Sequence, residues 1–259
     1  MSKPTKKTTT PRQPVHGRQH RHQVRIIGGQ WKRTLLDVIT AEGLRPTPDR
    51  VRETLFNWLN HQLHSNWIGV TCLDLFAGSG ALGFEAASRG AEKVVMVEVV
   101  SAACQQLQEV CTKLQASQVQ IKRADANRVL QQMQAAGEKF DVIFLDPPFG
   151  KDSLATLLPA CLPLLKPNGL LYAESELPLH LPKETTMRID LPWCAGWELL
   201  RADQAGLVHF HLLRASRPAL DGTEVNSISK SMVSRRRAAD SAVARQGEGN
   251  NDTIDLEME

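Results

Sequence analysis

Hydrophobic and polar residues alternate along the middle of this chain in a way that predicts strands separated by helices. Short apolar runs predict strands at residues 70–76, 93–98, 119–123, 140–145 and 168–174. The segments between them carry apolar residues at helical spacing and predict helices near residues 80–89, 101–115, 126–136 and 153–165. A repeated strand and helix is the arrangement of a parallel sheet with helices on both faces. We therefore expect an α/β fold.

A different pattern precedes this alternation. Residues 24–39, VRIIGGQWKRTLLDVI, predict two short strands around Gly28 and Gly29. A helix should follow, because Thr47 can cap it and Pro48 suits its first turn. Its apolar residues fall at helical spacing and give it one buried face: Val51, Leu55, Trp58 or Leu59, and Leu63.

The carboxyl-terminal part closes the sheet and then loses its pattern. WELLRADQ, residues 197–204, and GLVHFHLLRA, residues 206–215, predict an antiparallel pair that turns around Ala205 and Gly206. Residues 1–22 and 217–259 have no periodicity and few large apolar side chains. We expect both ends to be disordered.

The composition is that of an ordinary soluble globular protein, with 42% hydrophobic and 23% charged residues in a chain of 259. No apolar run approaches the roughly 20 residues of a membrane helix, and the start lacks the apolar stretch of a secretory signal. Five scattered cysteines without a CxxC pair, and eight histidines without an HExxH motif, predict no metal site. We expect a cytoplasmic protein with reduced thiols.

Positive charge is concentrated at the start of the chain. Residues 1–36 contain nine lysines and arginines and no acidic residue, whereas residues 37–216 carry 16 basic and 20 acidic groups. This asymmetry is typical of a protein that binds a polyanion from one end. The alternative is a leader that only solubilises the chain, an interpretation that fits residues 1–20 better than Arg25 to Arg33, where order resumes.

A glycine-rich loop follows the first strand of the alternation. In LDLFAGSGALGFE, Gly78, Gly80 and Gly83 match GxGxxG, and Glu98 lies 20 residues beyond Gly78, at the end of the next strand. Glycine lets the backbone approach a ligand, and a carboxylate at that strand end can accept hydrogen bonds from ribose hydroxyls. The pattern predicts a nucleoside-like ligand and by itself also fits a nicotinamide dehydrogenase. Asp74, inside the strand, suits an ammonium group better than a pyrophosphate.

The run FDVIFLDPPFGKD, residues 140–152, ends a strand in an acid, two prolines and a phenylalanine. Pro147 and Pro148 cannot donate ladder hydrogen bonds, so the strand stops there. One interpretation is a simple turn, because Asp, Pro and Gly are common in turns. The other is a rigid acceptor site, in which the Asp146 carboxylate and the Pro147 carbonyl receive an amine whose ring stacks on Phe149.

Taken together, these segments resemble a known family. LDLFAGSGALGFEAASRGA, VVMVE and DVIFLDPPF are similar to the motifs of class I S-adenosylmethionine-dependent methyltransferases. With RIIGGQWKRTLL and LRPTPDRVRETLFNWL, residues 24–214 resemble the RsmD family of bacterial 16S ribosomal RNA guanine-N2 methyltransferases. The resemblance implies a Rossmann-like fold: a mostly parallel seven-stranded sheet with an antiparallel closing hairpin, plus a small N-terminal hairpin-helix module. We divide the chain accordingly into a disordered basic leader (1–22), an RNA-binding hairpin and helix (23–66), a methyltransferase domain (67–216) and a disordered tail (217–259).

The resemblance also implies a cofactor, S-adenosylmethionine, and the residues that hold it. The methionine end is assigned to Asp74 and to the backbone of Phe76, Ala77, Gly78, Ser79 and Gly80. Glu98 is assigned to the ribose, and Asp125 with Ala126 to the adenine; the alternative for Asp125 is a helix cap. The catalytic segment is Asp146, Pro147, Pro148 and Phe149. A sulfonium is already activated as a leaving group, so we expect no metal.

The N-terminal module supplies the candidate RNA contacts. Six basic side chains are assigned to phosphates: Arg25, Lys32, Arg33, Arg45, Arg50 and Arg52. The expected partner of this monomer is 16S ribosomal RNA or an assembling small subunit, with the target base splayed out of its stack. The DPPF segment alone also fits a methyltransferase acting on a DNA adenine or a protein glutamine. A non-catalytic RNA-binding assembly factor is the alternative from another class.

Overall fold

The computed structural model describes residues 23–38, 48–148, 153–179 and 196–216. The N-terminal module contains β1 (Gln23–Arg25), β2 (Leu35–Asp37) and α1 (Asp49–Gln62). The alternating part follows with β3 (Thr71–Asp74), α2 (Ala81–Ser88), β4 (Lys93–Glu98), α3 (Ser101–Leu114), β5 (Val119–Arg123), α4 (Ala126–Ala135) and β6 (Phe140–Leu145). The last elements are α5 (Ser153–Cys161), β7 (Leu165–Ser175), β8 (Trp197–Ala205) and β9 (Val208–Ala215). Pro48 occupies the cap position of α1, so the helix begins one residue later than a Thr47 cap would require. Thr47 itself and the predictions for residues 1–22 and 217–259 lie outside the described residues.

Seven strands form one sheet in the order β5-β4-β3-β6-β7-β9-β8. The first five in this order are parallel, whereas β9 lies antiparallel between β7 and β8. This confirms the predicted α/β fold, the mostly parallel sheet and the closing antiparallel pair. The chain moves outward in one direction through β4 and β5 and in the other through β6 and β7. The switch point is therefore between β3 and β6, and ligands of such sheets bind there, outside the carboxyl ends of the strands.

The sheet separates two layers of core. In β6, Val142 and Phe144 pack into one hydrophobic cluster, whereas Ile143 and Leu145 pack into the other, as the two-residue period of a strand requires. The first cluster includes side chains of the N-terminal hairpin, α1, α2 and α3, and the second includes those of α4 and α5. The N-terminal module thus shares a continuous core with the sheet.

The prediction failed at the junction of α5 and β7. We expected a helix to residue 165 and a strand from residue 168, but α5 ends at Cys161, a 3-10 turn covers Leu162–Leu164, and β7 begins at Leu165. Pro163 has no N–H to donate to a helical carbonyl, which explains the early end of α5. The register between β6 and β7 then shifts around Asn168, whose φ is 63°.

Helix α1 runs from the carboxyl ends of the parallel strands toward the opposite edge. The Trp58 ring stacks on Phe210, 5.3 Å between centroids. Phe210 pairs with Glu174 near the end of β7. One turn later, Gln62 Oε1 accepts a hydrogen bond of 3.2 Å from Arg214, which pairs with the early part of β7. The first turns of α1 therefore lie toward the same edge as the loops that follow β3 and β6.

The N-terminal hairpin is held on α2 by a buried carboxylate. Glu85 is fully buried. Its Oε2 accepts from the Ile27 N–H at 2.6 Å, and its Oε1 accepts from the Gly28 N–H at 2.9 Å and from Arg89 Nε at 2.7 Å. The Arg89 guanidinium also lies over the Phe56 ring of α1, 4.8 Å from its centroid. Glu85 of α2 and Arg89, which follows the helix, thus together connect the hairpin with α1.

Ser88, at the end of α2, completes this attachment. Its hydroxyl donates to the Gly28 carbonyl at 2.6 Å and accepts from the Trp31 N–H at 2.9 Å, and its own carbonyl accepts from the Gln30 N–H at 2.8 Å. Gly29 has φ 74°, and a Cβ there would overlap the Ser88 carbonyl. The glycine pair is therefore required by the close approach to α2 as well as by the turn.

Replacing Gly29 with alanine tests this attachment, with Gly137→Ala as the matched control. Both glycines have left-handed φ, but nothing lies within 4 Å of a Cβ at Gly137. Gly137→Ala should lower the free energy of unfolding by about 1–2 kcal/mol, because alanine is strained at this φ. Gly29→Ala should lower it by about 2 kcal/mol more, because the hydrogen bonds to Ser88 must also lengthen. Urea unfolding of both variants measures the difference, and equal losses would contradict the attachment.

Candidate active site

The glycine loop and the Asp146–Pro147 segment meet at the switch point of the sheet. Asp74 pairs with Phe144, and the Leu75 N–H donates to the Phe144 carbonyl at 3.1 Å. Neighbouring strands lie about 4.8 Å apart, so the residues two positions further on, Phe76 and Asp146, emerge side by side at the carboxyl edge. The sequence predicted this juxtaposition from two segments about 70 residues apart. Phe149 of the same segment lies outside the described residues and stays a prediction.

The three glycines of the GxGxxG motif, two in the loop and one in α2, have different surroundings. Gly78 has φ 51°, and a Cβ there would point into open space. Gly80 has φ 79°, precedes α2, and would clash with Leu107 and Phe84 at 2.6 Å if it carried a Cβ. Gly83 lies against Met96 of β4 and has no room for a side chain. Of these three glycines, Gly78 is the one with open space on the side where a Cβ would lie.

Asp74 lies directly beneath this loop. It is 2% exposed, and its Oδ2 accepts from the Gly83 N–H at 3.2 Å. Burial raises the pKa of Asp74 to about 7, although hydrogen bonds from the Phe76 and Gly83 backbone lower it, and the Glu98 charge raises it further. A cation near the loop would favour the ionised form of Asp74.

Glu98 connects the loop to the end of β4. Its Oε2 accepts from the Gly78 N–H at 2.9 Å, and its Oε1 accepts from the Val99 and Val100 N–H groups, both at 2.8 Å. A carboxylate has about four acceptor positions, so one on Oε2 remains for a ligand hydroxyl. The side chain is 9% exposed, which places it at the wall of the site.

Asp125 caps α4, as the alternative interpretation stated. Its Oδ1 accepts from the Asn127 N–H at 3.0 Å and the Arg128 N–H at 3.2 Å. The residue is exposed, and Ala126 behind it is buried. Capping occupies one carboxylate oxygen, which leaves Oδ2 available for a donor, so the cap and the predicted adenine contact are compatible.

Asp146 lies next to a buried polar pair at the ends of β6 and β7. The Tyr172 hydroxyl donates to Glu174 Oε1 at 2.7 Å, and both side chains are buried. Burial raises the pKa of Tyr172, and the charges of Glu174 and then of Asp146 raise it further. Asp146 is half-buried, Pro147 is buried and Pro148 is exposed. Asp146 and Pro147 thus follow the end of β6 on a backbone that two prolines stiffen.

Of the predicted RNA contacts, one is wrong because its side chain is buried, whereas four others are exposed. Arg52 is fully buried; it donates to the Arg25 carbonyl at 2.8 Å and to Asp49 at 2.6 Å, so no phosphate can reach it. The apolar face of α1 is wide enough to cover this position. Four predicted contacts are exposed: Arg25, Lys32, Arg33 and Arg50. Arg45 lies outside the described residues.

Two apolar residues at this edge were missed. Val99 is 64% exposed and Val100 39% exposed, directly after Glu98. Exposed valines beside an acid at a strand end offer a flat apolar surface to a ring. The signal in the sequence was the apolar run VVMVEVV, which continues past the acid that ends the strand.

Within the described ranges, the side chains form no group of His, Cys, Asp and Glu that could hold a metal ion. No helix in these ranges is long and apolar enough to cross a membrane. Four of the five cysteines are described, and all four are free thiols: Cys72, Cys104, Cys111 and Cys161. Burial raises the pKa of each of these thiols.

The raised pKa of Asp74 predicts how stability depends on pH. In the folded state Asp74 keeps a proton up to about pH 7, whereas in the unfolded chain its pKa is 3.8. Between pH 3.8 and about 7 the folded state holds a proton that the unfolded chain has released. The stabilisation of the folded state by this proton therefore decreases as pH rises and is gone above about pH 7. Asp74→Asn is neutral throughout and keeps an acceptor for Gly83. The free energy of unfolding of the native protein, relative to this variant, should therefore fall between about pH 4 and 7 in denaturant titrations; a constant difference would contradict the assignment.

This chain is similar in sequence to known bacterial proteins. Ribosomal RNA small subunit methyltransferase D of Haemophilus influenzae is 40% identical over 198 residues, which are 73% of this chain and 93% of that protein. The protein of the same name from Escherichia coli K12 is 41% identical over 196 residues, 73% of this chain and 89% of its own.

The fold agrees with the sequence comparison. A solved structure described as putative methyltransferase yhhF from Escherichia coli superposes with a TM-score of 0.61 and 37% identity, over 75% of this chain and 98% of that one. Residues 24–214 match the model of a family described as conserved hypothetical protein 95. This chain therefore belongs to that family, the RsmD family.

Proposed function

We propose that this protein methylates the exocyclic N2 amine of a guanine in 16S ribosomal RNA, with S-adenosylmethionine as the methyl donor. The observation that supports this most directly is the meeting of two loops at the switch point: the ligand-accessible glycine loop after β3 and the Asp146–Pro147 acceptors after β6. We further propose that it acts in the cytoplasm, on 16S RNA or the assembling small subunit. Ribosomal RNA is the substrate named in its relatives.

The residues around the glycine loop suit this cofactor. The open face of Gly78 admits a ligand to the backbone, the free acceptor of Glu98 suits a ribose hydroxyl, and Asp74 suits the ammonium group. Asp125 Oδ2 and the exposed Val99 and Val100 can receive the adenine at its edge and face. When bound, S-adenosylmethionine would supply a methyl group from a positively charged sulfonium. The sulfur departs as a neutral thioether, so its departure needs no metal.

Asp146 and Pro147 address the weakness of the nucleophile. The N2 lone pair of guanine is delocalised into the ring, so the amine must be oriented and its N–H groups must find acceptors. The Pro147 carbonyl and the Asp146 carboxylate provide acceptors whose positions are fixed before the base arrives. The proton released when N2 is alkylated can leave through Asp146 or through water.

A direct experiment compares three polymers with radiolabelled methyl donor. Small-subunit ribosomal RNA from cells that lack this protein should accept label, and nucleoside analysis should recover it as N2-methylguanosine. Label in DNA or in protein glutamine alone would contradict the proposal. Mapping the modified position in RNA from cells with and without the protein identifies the guanine.

The role of Asp146 is tested by Asp146→Asn, with Asp203→Asn as the control. Asp203 is an exposed carboxylate on the closing pair of strands. Asp146→Asn should lower kcat about 100-fold or more, because one acceptor of the amine becomes a competing donor. Cofactor affinity by calorimetry and RNA affinity by anisotropy should change less than about twofold, because the substitution preserves shape. Full turnover in this variant would remove Asp146 from the mechanism. If the native protein itself never labels RNA while still binding it, the non-catalytic assembly factor would be favoured instead.

A further inference from the structure

A basin lies between the N-terminal hairpin and the first turns of α1, apart from the glycine loop. Its volume is about 270 Å³, and it is lined by Arg25, Ile26, Ile27, Lys32, Arg33 and Glu53. This volume is just below the lower end of small-molecule sites, about 300 Å³, so the basin has room for no more than about one nucleotide. Three cationic side chains and one carboxylate surround an apolar floor.

The three cations of the basin differ in whether they already form an ion pair with a described residue. Arg25 Nε pairs with Asp49 at 3.1 Å, and its side chain stays 55% exposed. Lys32 and Arg33 are exposed, and the described part of the chain offers neither of them an ion-pair partner. Two cations that converge on a concave surface without an acid in contact attract an anion, and a phosphate group suits them.

Arg33 lies in a backbone conformation that favours glycine. Its φ is 72°, in the left-handed region, while its N–H donates to the Ile26 carbonyl at 2.8 Å and closes the hairpin. Glycine or asparagine adopts this conformation with less strain, whereas another residue gives up about 1 kcal/mol. An arginine held in such a conformation at the rim of a basic basin points to binding.

Glu53 is the acidic residue among those that line the basin. Among residues 23–38, 48–148, 153–179 and 196–216, this exposed carboxylate has neither a hydrogen bond nor an ion pair. A carboxylate repels a phosphate, so a ligand that carries hydrogen-bond donors beside its phosphate suits this lining better than a phosphate alone. Bases with an amino group supply them, and guanine fits best because its N1–H and N2–H match the two carboxylate oxygens.

We propose that this basin binds one unpaired nucleotide of the substrate RNA, with its phosphate against Lys32, Arg33 and Arg25 and the amino edge of its base on Glu53. The inference rests on the proposed function, in that RNA is taken as the substrate. The first turns of α1, which line the basin, lie toward the carboxyl ends of the parallel strands. A nucleotide in the basin therefore lies toward the same edge of the sheet as the Asp146 segment. Such a site selects which RNA is methylated without touching the target base.

The test measures RNA binding without any methyl donor. The probes are short single-stranded uridine RNAs whose central base is uracil, adenine, cytosine or guanine. Their binding is measured by fluorescence anisotropy at several salt concentrations. The native protein should prefer a central guanine over uracil by about tenfold. Glu53→Gln should abolish this preference, because its amide presents a donor to the base as well as an acceptor.

Arg33→Gly separates binding from folding. Glycine accepts the left-handed φ, so the free energy of unfolding should not fall, whereas affinity for every RNA should fall about tenfold and the slope of log K against log salt should decrease by about 0.7. The control is Arg201→Ala, an exposed arginine on β8, which should change neither quantity.

Three results would overturn the inference: an absence of base preference in the native protein, an equal change in affinity for all RNAs in Glu53→Gln, or unchanged binding in Arg33→Gly. The proposed function can fail separately. If no ribosomal RNA is methylated while these variants still alter RNA binding as expected, only the activity is wrong. If RNA is methylated and the variants bind normally, only the basin is wrong.

Discussion

The buried carboxylate of Glu85 is the interaction on which the arrangement of this molecule depends. A fully buried charge is unfavourable unless donors surround it, and Glu85 receives the backbone N–H groups of Ile27 and Gly28 and the guanidinium of Arg89. These donors come from the hairpin and from α2 itself. Because Arg89 also covers Phe56, the same charge indirectly fixes α1. Without it, the Ile27 and Gly28 N–H groups would lose their acceptor, and only Ser88 and the shared apolar core would hold the hairpin against the sheet.

Helix α2 connects the two proposed ligand sites. It begins directly after Gly80 of the glycine loop, and its last turn carries Glu85 and Ser88, which hold the hairpin that lines the basic basin. Asp146 follows β6, the strand that pairs with β3 ahead of the glycine loop. In the proposed function, the cofactor and the RNA are therefore positioned by connected elements of one fold.

Sequence alone predicted those features that depend on local pattern. The apolar run of β6 was long enough to read as a strand covered on both faces, and the spacing from Gly78 to Glu98 placed an acid at the next strand end. The prediction that Arg52 contacts a phosphate was wrong because the sequence shows the charge of Arg52 but not how wide the buried face of α1 is. Glu85 was missed because its backbone partners lie 57 and 58 residues away. An acid within the apolar stretch GFEAAS was the available signal.

The attachment of α2 at both ends also fixes its length. Inserting one residue would rotate every later side chain by about 100° around the helix axis. Glu85 and Ser88 would then turn away from the hairpin while Gly80 stayed in place. We therefore expect evolutionary insertions and deletions to spare this helix and to accumulate in the connections that follow α5 and β7, where neither ligand site depends on the phase of a helix.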